Sequence, residues 1–257
     1  MDKPEVAHTV EAHVATIVLR NERRYNAMSL SMWTGLADTL AQLRLQPDIR
    51  AVVLRGAGER AFVSGADISE FESRRSDPAT VAAYDQAVDR AQSALQQFPR
   101  PVIAAISGIC YGGGLGLALA CDLRYCAPSA RFRMPAARLG LGYSLKGMQR
   151  MVEVMGVARA GELFYTARVF VADDAARFGL VNAVHDDVFA HAAQIASEIA
   201  ANAPLTLRAG KLALLASQSA ADIEAVEAAV KSCFESADYI EGRRAFAEKR
   251  QPRFIGR

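Results

Sequence analysis

Two short glycine-bearing segments contain the residues best suited to chemistry. Residues 102–120 (VIAAISGICYGGGLGLALA) read as a buried strand, a glycine triplet and an apolar helix. Glycine lacks a Cβ, so a ligand can approach the backbone closely at the triplet. A helix that begins there points unpaired N–H groups outward, with a partial positive charge behind them. This segment therefore predicts a site that stabilises an anion.

The second segment, residues 60–70 (RAFVSGADISE), also runs from a short strand through a glycine turn to a helix start. Asp67, with Glu70 three residues later, resembles a capping box, so Asp67 is predicted to be structural. The N–H of Ala66 is then the free donor. Two donors from separate turns that converge on one oxygen form an oxyanion hole, each contributing about 2.7–4 kcal/mol of transition-state stabilisation. The alternative is that both are tight turns in which small residues serve packing.

Other reactive residue types lack a supporting pattern. The chain has no G-x-G-x-x-G in register and no G-x-x-x-x-G-K-[ST], so a nucleotide-binding loop is not indicated. Ser64 is not part of a G-x-S-x-G sequence, and the histidines all lie outside the two turns. The four cysteines form no C-x-x-C pair and match no zinc spacing. Cys110 and Cys121 lie in strongly apolar runs and are predicted to be buried free thiols, and no metal site is expected.

The elements that must position the two turns follow an α/β pattern. Strand, turn and helix alternate from residue 13 to about residue 185, and only helices follow. We therefore divide the chain into an α/β core with the site, residues 1–200, and a C-terminal helical region, residues 201–257. A helical region of this size buries its apolar faces poorly alone, so it is expected to pack on the core or on a neighbouring subunit.

Composition narrows the functional class. The chain has 257 residues, 51% of them hydrophobic, with 30 Lys and Arg against 28 Asp and Glu. The net charge of +2 gives no electrostatic case for nucleic-acid binding. The N-terminus has no apolar signal region, and no run approaches 18 apolar residues, so no membrane span is expected. These features predict a cytoplasmic protein.

An ordered set of short segments resembles the enoyl-CoA hydratase/isomerase (crotonase) family over nearly the whole chain. The matching pieces are RYNAM at 24–28, AFVSGADI at 61–68, PVIAA at 101–105, GGG at 112–114, CD at 121–122, LG at 139–140, FYTA at 164–167, GLVN at 179–182 and EGRRAFAEKRQPRF at 241–254. No single piece is decisive, but the set in this order is specific.

The resemblance implies a spiral of ββα turns with a helical C-terminal trimerisation region, assembled as a homotrimer or a dimer of trimers. It implies an acyl-CoA thioester as substrate and no cofactor beyond the coenzyme A of that substrate. Backbone N–H groups that stabilise a thioester enolate carry over onto Ala66 and Gly113. Arg24, Ser64 and Gly65 would then lie along the CoA moiety. In the C-terminal region, Phe246 and Lys249 match positions that reach a neighbouring subunit's CoA.

The sequence departs from the family at the two carboxylates that hydratases use to add water. Alignment through the glycine triplet places the first at Gly116, and alignment through residues 132–135 places the second at Ala136. Neither residue can transfer a proton, whereas a general acid or base typically raises the reaction rate about 10²–10⁴-fold. Efficient hydration by the usual mechanism is therefore not expected.

Tyr143 is the best remaining polar candidate, because it follows the second lost glutamate in the loop that faces the acyl group in the family. A tyrosine here resembles the acyl-CoA decarboxylases of the same family, which carry a histidine where this chain has Ala66. Three functions stay open: hydration or isomerisation of an enoyl-CoA, decarboxylation assisted by Tyr143, and a catalytically silent acyl-CoA-binding subunit. Tyr143 as a mere wall of the pocket is the structural alternative.

Overall fold

The computed structural model describes residues 4–67, 78–217 and 223–257. The strands in this part of the chain are β1 (Glu5–Glu11), β2 (Val14–Arg20), β3 (Ala51–Gly56), β4 (Ala61–Val63), β5 (Val102–Ile106), β6 (Ile109–Tyr111), β7 (Leu123–Cys126), β8 (Arg131–Arg133), β9 (Phe170–Val171) and β10 (Ala183–Val184). The α-helices are α1 (Leu30–Arg44), α2 (Pro78–Gln96), α3 (Gly113–Ala120), α4 (Leu145–Thr166), α5 (Ala172–Arg177), α6 (Val188–Ala200), α7 (Pro204–Ala216), α8 (Ile223–Phe234) and α9 (Ala237–Glu248).

Two β-sheets form the centre of the fold. The larger has the order β1-β2-β3-β5-β7-β10, and all its neighbours are parallel except β1 and β2. The smaller has the order β4-β6-β8-β9, with only β8 and β9 antiparallel. The chain passes from β3 to β4, from β5 to β6 and from β7 to β8, and a helix follows each pair in the described part. The predicted α/β spiral of ββα turns with a helical C-terminal region is confirmed.

Apolar patterning explains why most of these elements were predictable. Strand β5 is a continuous apolar run and β3 is apolar except for Arg55, as expected for parallel strands covered on both faces. Helix α1 begins at Ser29, whose side chain accepts a hydrogen bond from the Met32 N–H, and it buries Trp33 and Leu36 in the core. Strand β1 was not predicted, because it is a largely exposed edge strand without an apolar run.

Close packing of α3 against β4 fixes the position of the glycine triplet. A Cβ on Gly114 would lie 2.2 Å from the Val63 carbonyl oxygen and 2.7 Å from its Cβ. Backbone atoms cannot move aside as a flexible side chain can. The Gly114 position therefore requires a glycine, and the contact holds the helix N-terminus against the second glycine-bearing turn.

We predict that Gly114→Ala lowers the free energy of unfolding by about 1–3 kcal/mol, because overpacking forces the backbone to shift. Gly35→Ala is the matched control, since its Cβ would have no heavy atom closer than 3.7 Å in α1. That control is expected to gain about 0.5–1 kcal/mol from the better helix former. Urea unfolding of both variants measures the difference, and equal effects would contradict the packing explanation.

Contacts of α6 and α7 with the sheets fix the last part of the chain on the fold. Helix α6 lays Val188, Ala192 and Ala196 against the larger sheet. In α7, the buried Lys211 ammonium donates hydrogen bonds to Asp122 Oδ2 at 2.7 Å and to the Arg100 carbonyl at 3.0 Å. The Asp122 carboxylate also accepts from the Val102 N–H at 2.7 Å, so this side chain is structural.

Candidate active site

The N-terminus of α3 leaves several backbone donors without an acceptor among the described residues, and Gly113 carries the first of them. Gly112 precedes the helix with φ 51° and ψ −114°, and its N–H donates to the Arg133 carbonyl at 2.9 Å. The Gly116 N–H closes the first turn on the Gly112 carbonyl at 3.0 Å. Gly113 is the first helical residue, and its N–H has no acceptor within the described residues. This N–H is therefore available to an external oxygen.

The second turn contains a similar amide. The Met28 N–H donates to the Gly65 carbonyl at 2.8 Å, and the Asp67 N–H donates to the Met28 carbonyl at 2.9 Å. The Ala66 N–H between them has no acceptor in the part of the chain that the structure describes. Gly65 has φ 123°, a conformation that favours glycine.

The two turns lie against each other. A Cβ built on Gly113 would be 4.0 Å from the carbonyl carbon of Gly65, the atom bonded to the Ala66 nitrogen. A Cβ on Gly112 would be 4.0 Å from the Gly65 Cα. The structure thus brings both sequence-predicted donors into one small region, with no side chain on either glycine to separate them.

Residues around the second turn are held by Asp67. Its buried carboxylate pairs with the Arg24 guanidinium and lies 3.5 Å from Asn21 Nδ2. The Ser64 hydroxyl donates to the Arg24 carbonyl at 3.1 Å, so Arg24 and Ser64 lie beside Ala66. Asp67 therefore has a structural role, which it performs through its ion pair with Arg24. The predicted helix start at Glu70 lies outside the described residues.

A cavity of about 450 Å³ opens beside the triplet. Tyr143 and Gly113 lie in its wall, together with polar side chains of α2. Its lining residues are Asp85, Gln86, Val88, Asp89, Gln92, Gly112, Gly113, Gly142, Tyr143, Ser144 and Gly147. Sequence analysis missed the contribution of α2, although the spacing of Asp85, Asp89 and Gln92 places them on one helical face.

The two carboxylates of α2 differ in their surroundings. Asp89 Oδ2 lies 3.7 Å from the Lys146 ammonium, which also donates to Ser93 Oγ. Asp85 has neither an ion-pair partner nor a hydrogen-bond partner within the described ranges. Asp85 is thus the carboxylate at the cavity wall that remains available for proton transfer.

Tyr143 is a neutral donor at the cavity wall. Its ring packs against Phe164 with 5.5 Å between centroids, and burial raises the pKa of its hydroxyl to about 12. The phenol therefore keeps its proton at neutral pH. Its hydroxyl has no hydrogen-bond partner among the described residues. Tyr143 can donate to a ligand, and it is a poor base.

Gly116 and Ala136, the two positions at which the sequence analysis expects the family's glutamates to be missing, have different environments. A Cβ on Gly116 would lie 2.4 Å from Gln92 Nε2, so the Gln92 carboxamide fills the space beside this glycine. Ala136 is buried among the core residues near Met134 and Phe132. The structure therefore puts a carboxamide beside one position and apolar packing around the other.

The C-terminal candidates do not line this cavity. Phe246 is 87% exposed and borders a separate groove of about 630 Å³ between α7, α8 and α9. Lys249 ends α9 with φ 53°. Within this chain, neither residue is brought to the glycine turns, so their predicted CoA role would require a neighbouring subunit.

Other candidate groups lie elsewhere. His185 and His191 stack with 3.4 Å between ring centroids, next to Tyr125 and outside the cavity lining. Cys110 and Cys121 are buried free thiols, as predicted, and Cys126 is also buried. In the described ranges, no three His, Cys, Asp or Glu side chains group as metal ligands. No helix among those residues is both long and apolar enough to cross a bilayer.

Comparison with known proteins assigns this architecture to a class. The chain superposes on the crystal structure of an enoyl-CoA hydratase/carnithine racemase from Magnetospirillum magneticum with a TM-score of 0.93 and 36% identity, covering 100% of this chain and 97% of that one. The fold is therefore that of the crotonase-like α/β proteins.

Sequence comparison defines the family. The family model described as enoyl-CoA hydratase/isomerase matches residues 9–257. The short-chain-enoyl-CoA hydratase of Clostridium acetobutylicum is 32% identical over 249 residues, covering 94% of each chain. The mitochondrial Delta(3,5)-Delta(2,4)-dienoyl-CoA isomerase of Mus musculus is 31% identical over 263 residues, covering 96% of this chain and 80% of the relative. The chain belongs to the enoyl-CoA hydratase/isomerase family.

Proposed function

We propose that the protein binds an acyl-CoA thioester and carries out hydratase/isomerase chemistry on an enoyl-CoA through a thioester enolate. The observation that carries the proposal is that the amides of Ala66 and Gly113, which have no acceptor within the described residues, belong to adjacent turns, with Gly113 in the wall of the cavity. Two such donors stabilise the negative charge that develops on a thioester oxygen. Arg24, Ser64 and Gly65 are proposed to contact the CoA moiety.

Asp85 supplies the proton transfer that Gly116 and Ala136 cannot perform. Its carboxylate removes a proton from the carbon next to the double bond, and the electron pair moves through the conjugated system to the thioester oxygen. The resulting carboxylic acid returns the proton to another carbon of the same unit, which completes an isomerisation. A single acid–base group suffices for this 1,3-shift, whereas hydration also requires an activated water.

Decarboxylation is the second candidate function. It is favoured by the Tyr143 hydroxyl, a neutral donor at the cavity wall that has no partner in the described part of the protein. When CO₂ leaves a malonyl-type thioester, the same amides hold the enolate and no base is needed. A silent binding subunit is the third possibility.

The assembly is proposed to be a homotrimer or a dimer of trimers. Its support is the large exposed apolar side chains of the C-terminal helices, among them Phe234, Ile240 and Phe246. Such exposure is unusual on a free surface. A neighbouring subunit would also give Phe246 and Lys249 a site to reach.

A panel of three thioesters separates the functions. Purified protein is incubated with crotonyl-CoA, a 3-enoyl-CoA and malonyl-CoA, and products are followed by mass spectrometry in H₂O and D₂O. We expect conversion of the 3-enoyl-CoA to the 2-enoyl isomer, faster than hydration of crotonyl-CoA. Turnover of malonyl-CoA alone would support decarboxylation. Binding of all three without turnover would support the silent subunit, and no binding would refute the acyl-CoA assignment.

A further inference from the structure

Helix α2 presents a polar face to the proposed acyl site. Asp85, Asp89, Gln92 and Gln96 follow one another at spacings of four, three and four residues, and each borders the cavity or the small chamber behind it. Sites for hydrocarbon chains are lined mainly by apolar side chains. The acyl end of this cavity is suited instead to a group that forms hydrogen bonds.

Two of the groups at this wall have unused hydrogen-bonding capacity. Within the described residues, the Gln92 carboxamide and the Tyr143 hydroxyl have no partner in the protein. Burial raises the pKa of the Tyr143 hydroxyl to about 12, so it remains a donor. A partly desolvated polar group without a partner favours a ligand that satisfies it.

The chamber between these groups sets the size of what they can bind. It has a volume of about 20 Å³ and is bordered by Gln92, Gly116, Tyr143 and Lys146, among others. That volume holds about one water-sized group. The chamber depends on Gly116, because a Cβ there would lie 2.4 Å from Gln92 Nε2.

The charged residues around the site indicate whether it suits an uncharged oxygen or a carboxylate of the ligand. Asp85 at the cavity wall has no cation partner in the described part of the chain. The nearby cations are engaged: Lys146 pairs with Asp89, and Arg150 donates to the Leu119 carbonyl at 2.6 Å and pairs with Glu153. Lys146 and Arg150 both border the chamber, so an anionic substituent there would have to compete with Asp89 and Glu153 for them.

We infer that the substrate's acyl group carries an uncharged hydroxyl or carbonyl oxygen, which Gln92 and Tyr143 bind in the chamber beside Gly116. The inference rests on the proposed acyl-CoA function and narrows its substrate class. Gln92 is in this sense a specificity residue, because its carboxamide can donate to or accept from the substituent.

Binding of three four-carbon thioesters tests the inference. Dissociation constants of butyryl-CoA, 4-hydroxybutyryl-CoA and succinyl-CoA are measured by calorimetry for the wild type, Gln92→Leu, Tyr143→Phe and the control Gln194→Leu. Gln194 lies on α6 and hydrogen-bonds Glu198, outside the cavity lining. We expect the wild type to bind 4-hydroxybutyryl-CoA about tenfold tighter than butyryl-CoA.

In the variants, Gln92→Leu and Tyr143→Phe should each lose about threefold to tenfold of this preference, while Gln194→Leu keeps it. Equal binding of the butyryl and hydroxybutyryl esters by the wild type would overturn the inference and leave the acyl-CoA function standing. Preference for succinyl-CoA would overturn it in favour of an anionic substituent. If none of the three esters binds, the proposed function itself fails.

Discussion

Replacing Asp85 with asparagine is expected to lower kcat for the enoyl-CoA substrate about 10²–10⁴-fold, with little change in KM. Asparagine matches aspartate in size but cannot accept a proton. Because Asp85 borders the cavity beside Gly113, its loss should affect the chemical step rather than thioester binding. Steady-state kinetics and incorporation of solvent deuterium into the substrate measure both quantities.

Two controls separate this role from a general effect of charge. Asp38→Asn removes an exposed carboxylate that pairs with Arg90, and it should leave kcat within about twofold, since surface ion pairs contribute little. Asp89→Asn removes the carboxylate paired with Lys146 and should cost less than Asp85→Asn. A larger loss in Asp89→Asn would transfer the acid–base role to Asp89. An unchanged kcat in Asp85→Asn would refute the role outright.

Exchange of the transferred proton offers an independent readout. Washout of deuterium from substrate labelled at the reacting carbon should be lost in Asp85→Asn and kept in Asp38→Asn. A residue that only positions other groups would slow turnover without abolishing this exchange.

Much of the fold was predictable because the apolar residues of each strand or helix follow the pattern that its burial requires. The buried parallel strands β3 and β5 are mainly apolar runs, and α1 repeats apolar residues at helical spacing up to Leu43. Strand β1 was not predicted because it is exposed and carries no apolar pattern. It forms through its hydrogen bonds to β2 and not through burial of its side chains. Helix α4 is broken at Gly156, whose φ of 77° is not helical.

The site was predictable in part, for a physical reason. The glycine turns carry local backbone signals, so Ala66 and Gly113 could be placed from the sequence. Asp85 and Gln92 carry none, because a polar face of a helix looks the same whether it meets solvent or a cavity. Only the packing of α2 beside α3 reveals which one it meets. The carboxamide beside Gly116 is likewise a tertiary contact between residues 24 positions apart.

Gly113→Pro should lower kcat about 10²–10³-fold, because it removes one of the two proposed enolate donors. Proline is tolerated at the first position of a helix, where its missing N–H would be unpaired within the helix anyway. Gly113 occupies that position in α3, so the variant is expected to fold. Far-UV circular dichroism and thermal melting check this before the kinetics are measured.

Gly113→Ala is the matched control, because it keeps the N–H and adds the same Cβ. In both variants that Cβ would lie 3.0 Å from Trp33 Cζ2, so any displacement of the indole is shared. The ratio of kcat between the two variants therefore removes the shared Cβ crowding against Trp33 from the comparison. A ratio near one would mean that crowding against Trp33 explains the loss and that the Gly113 amide does not hold the enolate. A large ratio with similar KM values is the result expected for a hydrogen bond that strengthens as negative charge develops on the thioester oxygen.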